Sequence, residues 1–577
     1  MYWVPYLLEH GGQVSVSCSP DPGFDLTKYR TLEQAAKAWT LTYPLPTGYA
    51  WAVVEEAKAA IIPGFSWFKL VWRLKRRLRE WGLPARVRPQ PVAATPAGFF
   101  LDLPSLVEVF PGRLLTDKEV IREVTGKPLA PPGFELALQE LILAGEIEAQ
   151  PGIALTPGGL PRCQRCGSFN IVTAPCTRCG YDRCYACQDC AELGVIRGCT
   201  PLFNTQKSKP VKVTPLPALP NLSALTSGQE SLLKEMLEFV QGAEERCVVD
   251  AVCGAGKGYI ILHFLRELLR LGFEGPILFT TPRRSVLEEW ADEYGRVLGK
   301  ENLSVLYGGR HEYNPEAAVT MATLPQLYRF LCAFKVVIID EADAFPLGEH
   351  SHLWGVIRRA MQKGAKLLLF TATPQTLSSL TSSAVNLRLP VRFHGGELPL
   401  PEVVVAKSDK GLYQKAADLV GKWLAERNMR VFIFVPTKII GRKVFSYITK
   451  NGYTGKFACF HAGVSDFDEQ LRKFRDGEVR VAISTTVLER GITISPCAVL
   501  VFWADHASFG TASLVQMAGR AGRSKAHPTG EVVFLCRTVG SKCIKSAVDH
   551  IRGENLEAAK KGCFQSGDGD KVCPHLG

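Results

Sequence analysis

Four groups of residues in this chain have the types and spacing to do chemistry. Residues 251–258 read AVCGAGKG, a glycine-rich turn that ends in a lysine. Backbone NH groups from Cys253, Gly254, Ala255, Gly256 and Lys257 can cradle a β-phosphate at a helix N-terminus. The Lys257 ammonium then pairs with the β- and γ-phosphates. The next position, where a Thr or Ser hydroxyl normally ligates magnesium, holds Gly258. Farther along, VVIIDEAD sets Asp340 and Glu341 directly after an apolar run. A carboxylate pair there suits Asp340 to a magnesium hydration shell and Glu341 to orienting an attacking water. In QMAGRAGR, Arg520 and Arg523 are three apart, so they are expected on one helical face, aimed at the γ-phosphate. Gln516 is expected to contact the nucleotide or the water. The small residues Ala518, Gly519, Ala521 and Gly522 would let another backbone approach closely.

The fourth group is a run of cysteines: Cys163, Cys166, Cys176, Cys179, Cys184, Cys187, Cys190 and then Cys199. C-x2-C knuckles each present two thiolates to a tetrahedral ion, which points to structural zinc without an open site for water. Gly167 and Gly180 fit the tight turns that follow two of the knuckles. Eight cysteines could hold two ions; seven could hold one, with spares. Arg162, Arg165, Arg178 and Arg183, interleaved with them, read either as a DNA-contacting finger or as the solvated face of a structural knob.

These groups need elements to hold them. At 577 residues the chain is too long for one core. Its 46% hydrophobic and 21% charged residues are those of globular protein, and a net charge of +12 favours a polyanionic partner. No apolar stretch is long enough to cross a membrane and the start lacks signal-peptide character, so a cytoplasmic protein is expected. From about residue 221, short β-branched runs alternate with helical stretches, the pattern of an α/β protein with parallel sheets. Buried strands are predicted at Cys247–Val252, Ile277–Thr280, Val336–Ile339 and Leu367–Phe370. A second series is predicted at Val431–Val435, Val481–Ser484, Val499–Trp503 and Val532–Cys536. Chemistry sits after nearly every one, at the carboxyl ends where open sheets place ligands.

With these motifs in this order, residues 226–545 resemble a superfamily 2, DEAD-box-like helicase core. The resemblance rests on LTSGQE, AVCGAGKG, TPRR, DEAD, TATP, TTVLERG and QMAGRAGR. Within that superfamily the RFHGGELPLPE segment at 392–402 and the cysteines ahead of the motor resemble the ComFA family of late-competence ATPases. PriA-type restart helicases also combine cysteines with such a motor, but carry them between motor motifs. The resemblance implies two tandem RecA-like lobes, at 221–395 and 396–560. It implies ATP, Mg²⁺ and Zn²⁺ as cofactors and DNA-stimulated hydrolysis. Gln229 becomes an adenine contact, and Thr485, Thr486 and Gly491 become sensors of nucleotide and nucleic acid. Thr281, Pro282, Arg283, Gly308, Gly309, Thr323 and Gln326 of the first lobe would grip a single-stranded DNA backbone, with Pro436, Thr437 and Thr486 of the second. It also implies competence partners, among them a ComFC-type protein and a membrane DNA channel, at the inner face of the membrane. The rival expectations are a nucleotide-gated zinc and DNA-binding scaffold with little hydrolysis, an RNA helicase, or a PriA-like enzyme. Gly258 predicts weaker magnesium affinity with hydrolysis surviving, and greater activity at low magnesium when threonine is restored.

Ahead of the motor, residues 161–200 form the expected zinc module and 201–220, rich in proline, a semi-rigid linker. Within 1–160, TDKEVIREVTG opens on a capping box at Thr116. FELALQELILAGEIEAQPGIALT reads as a helix stopped at Gly145, then a hairpin around Pro151–Gly152; together these suggest a winged helix over 112–160. WFKLVWRLKRRLREW at 67–81 is a basic amphipathic helix with Trp67, Val71, Leu74, Leu78 and Trp81 on one face. It could touch membrane lipid or nucleic acid, or pack on its own domain with arginines outward. The tail from 561, with Cys563, Cys573 and His575, is expected to fray.

Overall fold

The computed structural model describes residues 2–10, 13–20, 22, 25, 37–59, 67–91, 106–191, 193–218, 223–347, 352–377, 383–425, 429–453, 455–461, 466–488, 494–538 and 540–560. Gly491 and the tail lie outside the described residues.

The chain opens with strands β1 (Tyr2–His10), β2 (Gln13–Ser19), β3 (Lys37–Thr42), β4 (Leu45–Pro46) and β5 (Val87–Pro91), which form an antiparallel sheet. Helices α1 (Thr47–Lys58) and α2 (Trp67–Glu80) belong to this unit. In α2 the inward face is Leu70, Leu74 and Leu78, continued by Trp81, while Trp67 is 38% exposed. The helix thus packs on its own domain through Leu74, Leu78 and Trp81 of the expected stripe, with Leu70 buried where Trp67 was expected and Val71 only partly covered. The leucines, four apart, align on one face, and the aromatics at 67, 68 and 72 are left outside.

Next come β6 (Leu114–Thr116), α3 (Asp117–Thr125), α4 (Phe134–Leu143) and β7 (Glu148–Pro151). The capping box at Thr116 is formed with Glu119, and Gly126 ends α3 in the left-handed conformation at φ +67°. The expected hairpin at Pro151–Gly152 is not formed. β7 pairs with β12 (Pro201–Asn204), and β12 also pairs with β6, giving the order β6-β12-β7. At Gly152 the chain leaves this sheet; a Cβ there would lie 2.7 Å from Ile196 Cγ2, so only glycine fits the crossing. The excursion carries β8 (Ile153–Leu155), β9 (Pro161–Cys163), β10 (Ile171–Ala174), β11 (Cys184–Cys187) and all eight clustered cysteines.

Of the stretch expected to be a linker, residues 201–218 are docked onto the rest of the chain. Pro201–Asn204 is the buried central strand just named, and the chain after it is strapped onto the motor. Lys209 Nζ donates to Ala317 O at 2.6 Å, and Thr214 N to Asn302 Oδ1 at 2.8 Å. Prolines remove donors without preventing such docking, because the neighbouring residues supply the bonds.

The first lobe begins with α5 (Ser227–Gln241). It holds β13 (Arg246–Ala251), α6 (Lys257–Arg270), β14 (Ile277–Thr281), α7 (Arg284–Leu298), β15 (Leu303–Tyr307), β16 (Arg310–Glu312), β17 (Val319–Thr323), β18 (Phe334–Ile339), α8 (Leu353–Ala360), β19 (Met361–Thr371) and β20 (Val385–Leu389). Its sheet runs β16-β15-β17-β14-β18-β19-β13-β20, parallel except at β16. The second lobe comprises β21 (Glu402–Val405), α9 (Asp409–Ala425), β22 (Arg430–Phe434), α10 (Lys438–Lys450), β23 (Phe457–Phe460), α11 (Phe467–Arg475), β24 (Val481–Ser484), β25 (Cys497–Phe502), α12 (Thr511–Ala518), β26 (Val532–Cys536) and α13 (Lys542–Lys560). Its all-parallel sheet runs β21-β26-β25-β22-β24-β23. The α13 helix returns to the first lobe, where Glu554 pairs with Arg388 at 2.7 Å. Among the described residues no helix is long and apolar enough to cross a membrane.

Candidate active site and cysteine centres

The phosphate-loop residues follow β13. Gly254 and Gly256 take φ of +87° and +82°, conformations that turn successive NH groups toward one point and that side chains resist. Lys257 opens α6, its Nζ donating to Ala251 O at 2.7 Å. Gln229 has a role at this loop that its sequence context did not reveal. Its Nε2 donates to Ala255 O at 2.9 Å while its Oε1 accepts from Thr226 N at 3.0 Å, so its amide ties helix α5 to the loop.

Gly258 is more than a missing hydroxyl. A Cβ on it would lie 2.6 Å from Cε2 and 2.7 Å from Nε1 of Trp290, a residue of α7. The indole stands where a Thr side chain would. Tyr294 braces the same turn, its hydroxyl donating to Gly258 O at 2.7 Å, and Trp290 meets Tyr294 edge to face at 5.9 Å. Restoring a threonine here therefore demands more than adding a hydroxyl: the side chain cannot enter unless Trp290 moves.

Asp340 and Glu341 directly follow β18, two strands from the phosphate loop across β19. Asp340 is buried, and its Oδ1 accepts from Glu341 N at 2.9 Å. Thr373, from TATP at the end of β19, donates to Asp343 Oδ2 at 2.7 Å and so links these two loops.

The second lobe reaches this site directly. A Cβ on Gly519 would lie 2.4 Å from Cys253 Cβ, which explains the small residues of QMAGRAGR: the phosphate loop of the other lobe packs against them. Cys253 Sγ contacts Gln516 Oε1 at 3.1 Å, so Gln516 holds the loop itself. Arg520 is 1% exposed, and burial, then the charge of Arg523, pushes its guanidinium well below the ordinary arginine range. The carboxylates of Glu341 and Glu289 oppose that shift. One expectation is corrected. The arginines are not on a helical face, because α12 stops at Ala518 and both lie on the following turn.

That turn is held by Arg392, of the RFHG segment. Its buried guanidinium donates to Ala521 O at 2.9 Å, Gly519 O at 3.3 Å and Gly522 O. Its Nε lies 3.4 Å from where a Cβ on Gly254 would stand, and Phe393 N donates to Gly254 O at 3.1 Å. Arg392 therefore clasps the arginine turn of one lobe beside the phosphate loop of the other. Sequence reading took RFHG only as a family marker. The basic residue just before the second lobe was the available signal. Lysine's compact ammonium cannot span three carbonyls. Arg392→Lys is expected to lower maximal ATP hydrolysis about tenfold with KM for ATP within about threefold, read from steady-state kinetics.

The residues expected on nucleic acid gather at neighbouring strand ends. Thr281 ends β14 and pairs in register with Thr323 at the end of β17; Pro282 and Arg283 follow the first, Gln326 the second, and Gly308 and Gly309 turn the chain after β15. In the second lobe Pro436 and Thr437 follow β22, and Thr485 and Thr486 follow its neighbour β24. Thr281 is fully buried and Thr437 caps α10, accepting from Ile440 N at 3.3 Å. Gln326 is buried and hydrogen-bonded to Arg329.

The cysteines form two buried tetrads, Cys163, Cys166, Cys187 and Cys190, then Cys176, Cys179, Cys184 and Cys199, each with its sulfurs within 4.8 Å of one another. Sulfur separations of 3.8 Å (Cys163–Cys190) and 3.5 Å (Cys166–Cys187) match the roughly 3.8 Å that tetrahedral Zn–S bonds of about 2.3 Å require. The pairs are interleaved rather than sequential, and Cys199 completes the second tetrad, the arrangement in which all eight cysteines serve two sites. Of the interleaved arginines, Arg165 is buried and paired with Glu119 at 2.7 Å, also donating to Tyr328 O of the first lobe at 3.2 Å. Arg178 pairs with Asp117. These two dock the module rather than offering a free basic surface.

Comparison with known proteins follows the same division. Residues 105–204 match the Competence protein ComFA N-terminal domain, 223–376 the Type III restriction enzyme, res subunit family, and 413–525 the Helicase conserved C-terminal domain. Competence protein ComFA of Bacillus subtilis is 30% identical over 420 residues, 70% of this chain and 87% of that protein. The chain belongs to the ComFA family. Its counterpart from Streptococcus pneumoniae is 29% identical over 58% of this chain and 78% of that protein. A solved structure of S. cerevisiae Dbp5 bound to RNA and ADP BeF3 is similar at 18% identity and a TM-score of 0.43, covering 57% of this chain and 92% of that one. The matches at 223–376 and 413–525, on the two parallel sheets, give this ComFA-family chain a superfamily 2 helicase core of two RecA-like lobes.

Proposed function

We propose that this chain is an ATP-driven translocase on single-stranded DNA that takes part in DNA uptake during competence, working with other competence proteins such as a ComFC-type partner at the inner face of the membrane. The observation that carries the proposal is the joining of the two lobes at one site: Cys253 against Gly519 and Gln516, and Arg392 on the turn that carries Arg520 and Arg523. A nucleotide there would touch both lobes, so its binding and cleavage would change how they sit together. Strand contacts at the ends of β14, β15 and β17 on one lobe and β22 and β24 on the other would then tighten and release in turn.

The roles follow from position. Cys253, Gly254, Ala255, Gly256 and Lys257 would hold the phosphates. Glu341 would orient the attacking water, and Arg520 with Arg523 would offset charge on the transferring phosphoryl group. Mg²⁺, when bound, would neutralise phosphate oxygens, held through water by Asp340 with no protein hydroxyl from Gly258. Family resemblance favours DNA over RNA. Phosphate release by the full chain with magnesium is expected to be stimulated by poly(dT) far more than by poly(U). Equal or greater stimulation by the RNA would overturn the DNA assignment.

Each tetrad suits one structural Zn²⁺, because four thiolates close the coordination sphere. Cys199→Ser should lower bound zinc from two ions to one per chain by elemental analysis. Retention of both ions would remove Cys199 from the ligand set.

A further inference from the structure

The outward face of α2 has no role in the site described above. Phe68 is 80% exposed and Trp72 59% exposed, although the helix is firmly seated through Leu70, Leu74 and Leu78. At about 100° per residue, Phe68, Trp72, Lys75, Arg76 and Arg79 fall within an arc of about 100°, with Lys69 at its edge. No acidic residue lies on that arc. Arg73 and Arg77 point elsewhere, paired with Glu56 at 3.0 and 2.9 Å. Arg76 shares Glu80 and lies over the Trp72 ring at 6.0 Å, while Lys69, Lys75 and Arg79 make no ion pair among the described residues. The helix adjoins the cysteine module, since Tyr185 donates to Glu80 O at 3.2 Å. It also lies outside the residues 105–204 that match the ComFA N-terminal model.

We propose that this face is a docking surface for single-stranded nucleic acid, separate from the motor. Phe68 and Trp72 stand one helical turn apart as platforms for two bases, and the cations beside them take the phosphates. Aromatic rings interleaved with cations are what strands without a read sequence require. A lipid surface fits less well. An interfacial helix offers a broad aliphatic face to the membrane, and here the aliphatic face is buried in the protein. The proposal rests on the reading that the chain works on single strands, and adds a second contact that would hold the strand near the motor.

The test uses full-length protein, fluorescein-labelled dT40 and dT8, and anisotropy. Phe68→Ala with Trp72→Ala, and separately Lys75→Gln with Arg79→Gln, should each weaken dT40 binding about tenfold or more. Binding of dT8, taken as a probe too short to span both surfaces, and the maximal ATPase rate at saturating dT40 should stay unchanged. Tight wild-type binding of dT40 that both variants retain would overturn this surface and leave the motor assignment standing. Loss of binding to phosphatidylglycerol vesicles with strand affinity unchanged would also overturn it, in favour of a membrane contact. Wild-type protein that binds neither strand would overturn both readings.

Discussion

Glu341→Gln is expected to reduce ATP hydrolysis by about 10²–10⁴-fold, the usual contribution of a positioned general base. The carboxylate sits two residues beyond β18, where the backbone takes a φ of +54°. Such a conformation in a non-glycine residue costs about 1–3 kcal/mol, and it persists only where the surroundings impose it. Here they do. Asp340 N donates to Thr280 O at 2.9 Å and Ala342 N to Phe370 O at 3.0 Å, so both flanking peptides are pinned to neighbouring strands. Glutamine has the same shape and keeps these bonds, but it cannot take a proton from water. The expected signature is therefore a fall in kcat with ATP affinity within about threefold of the parent. Full turnover by this variant would move the catalytic base elsewhere.

Gly258→Thr is expected to harm the protein rather than improve it. Forcing two carbons and a hydroxyl against the Trp290 indole is overpacking, which costs about 1–3 kcal/mol and displaces the turn that holds the phosphates. Activity should fall at every magnesium concentration, with a lower melting temperature. Trp290→Ala alone should also lose activity, because Tyr294 and the Gly258 turn lose their brace. The double variant should recover much of the loss and need less magnesium than the parent, since the hydroxyl then has room to act as a ligand. A strong, favourable coupling between the two sites is the decisive result. A single Gly258→Thr variant that works better at low magnesium would mean that the indole yields freely.

The motor was legible because its strands are buried on both faces and read as unbroken apolar runs. All eight predicted strands exist, and Lys257, Asp340 and Glu341 fall beside the ends of theirs. β15 and β17 were missed because LSVLY and VTMAT mix polar residues into the run, their buried Ser304 and Thr320 interrupting it. What stayed hidden depends on distant partners. Trp290 looks like one more amphipathic-helix residue until Gly258 is beside it. Arg392 has backbone carbonyls as partners, which carry no sequence signature. The cysteine spacing identified metal ligands, but pairing Cys163 and Cys166 with Cys187 and Cys190 is decided by the fold of β8 to β11. The proline-rich stretch misled because docking is set by what lies beneath it.

The central claim is that the cleft between the lobes turns over ATP in response to a bound strand. The most direct measurement is phosphate release by the full chain across a magnesium titration, with and without single-stranded DNA, beside Lys257→Ala. The account predicts turnover that the strand stimulates, that rises to unusually high magnesium, and that disappears in Lys257→Ala. Protein that binds ATP and DNA yet releases no phosphate above background at any magnesium concentration would contradict it, and would leave a nucleotide-gated scaffold in its place.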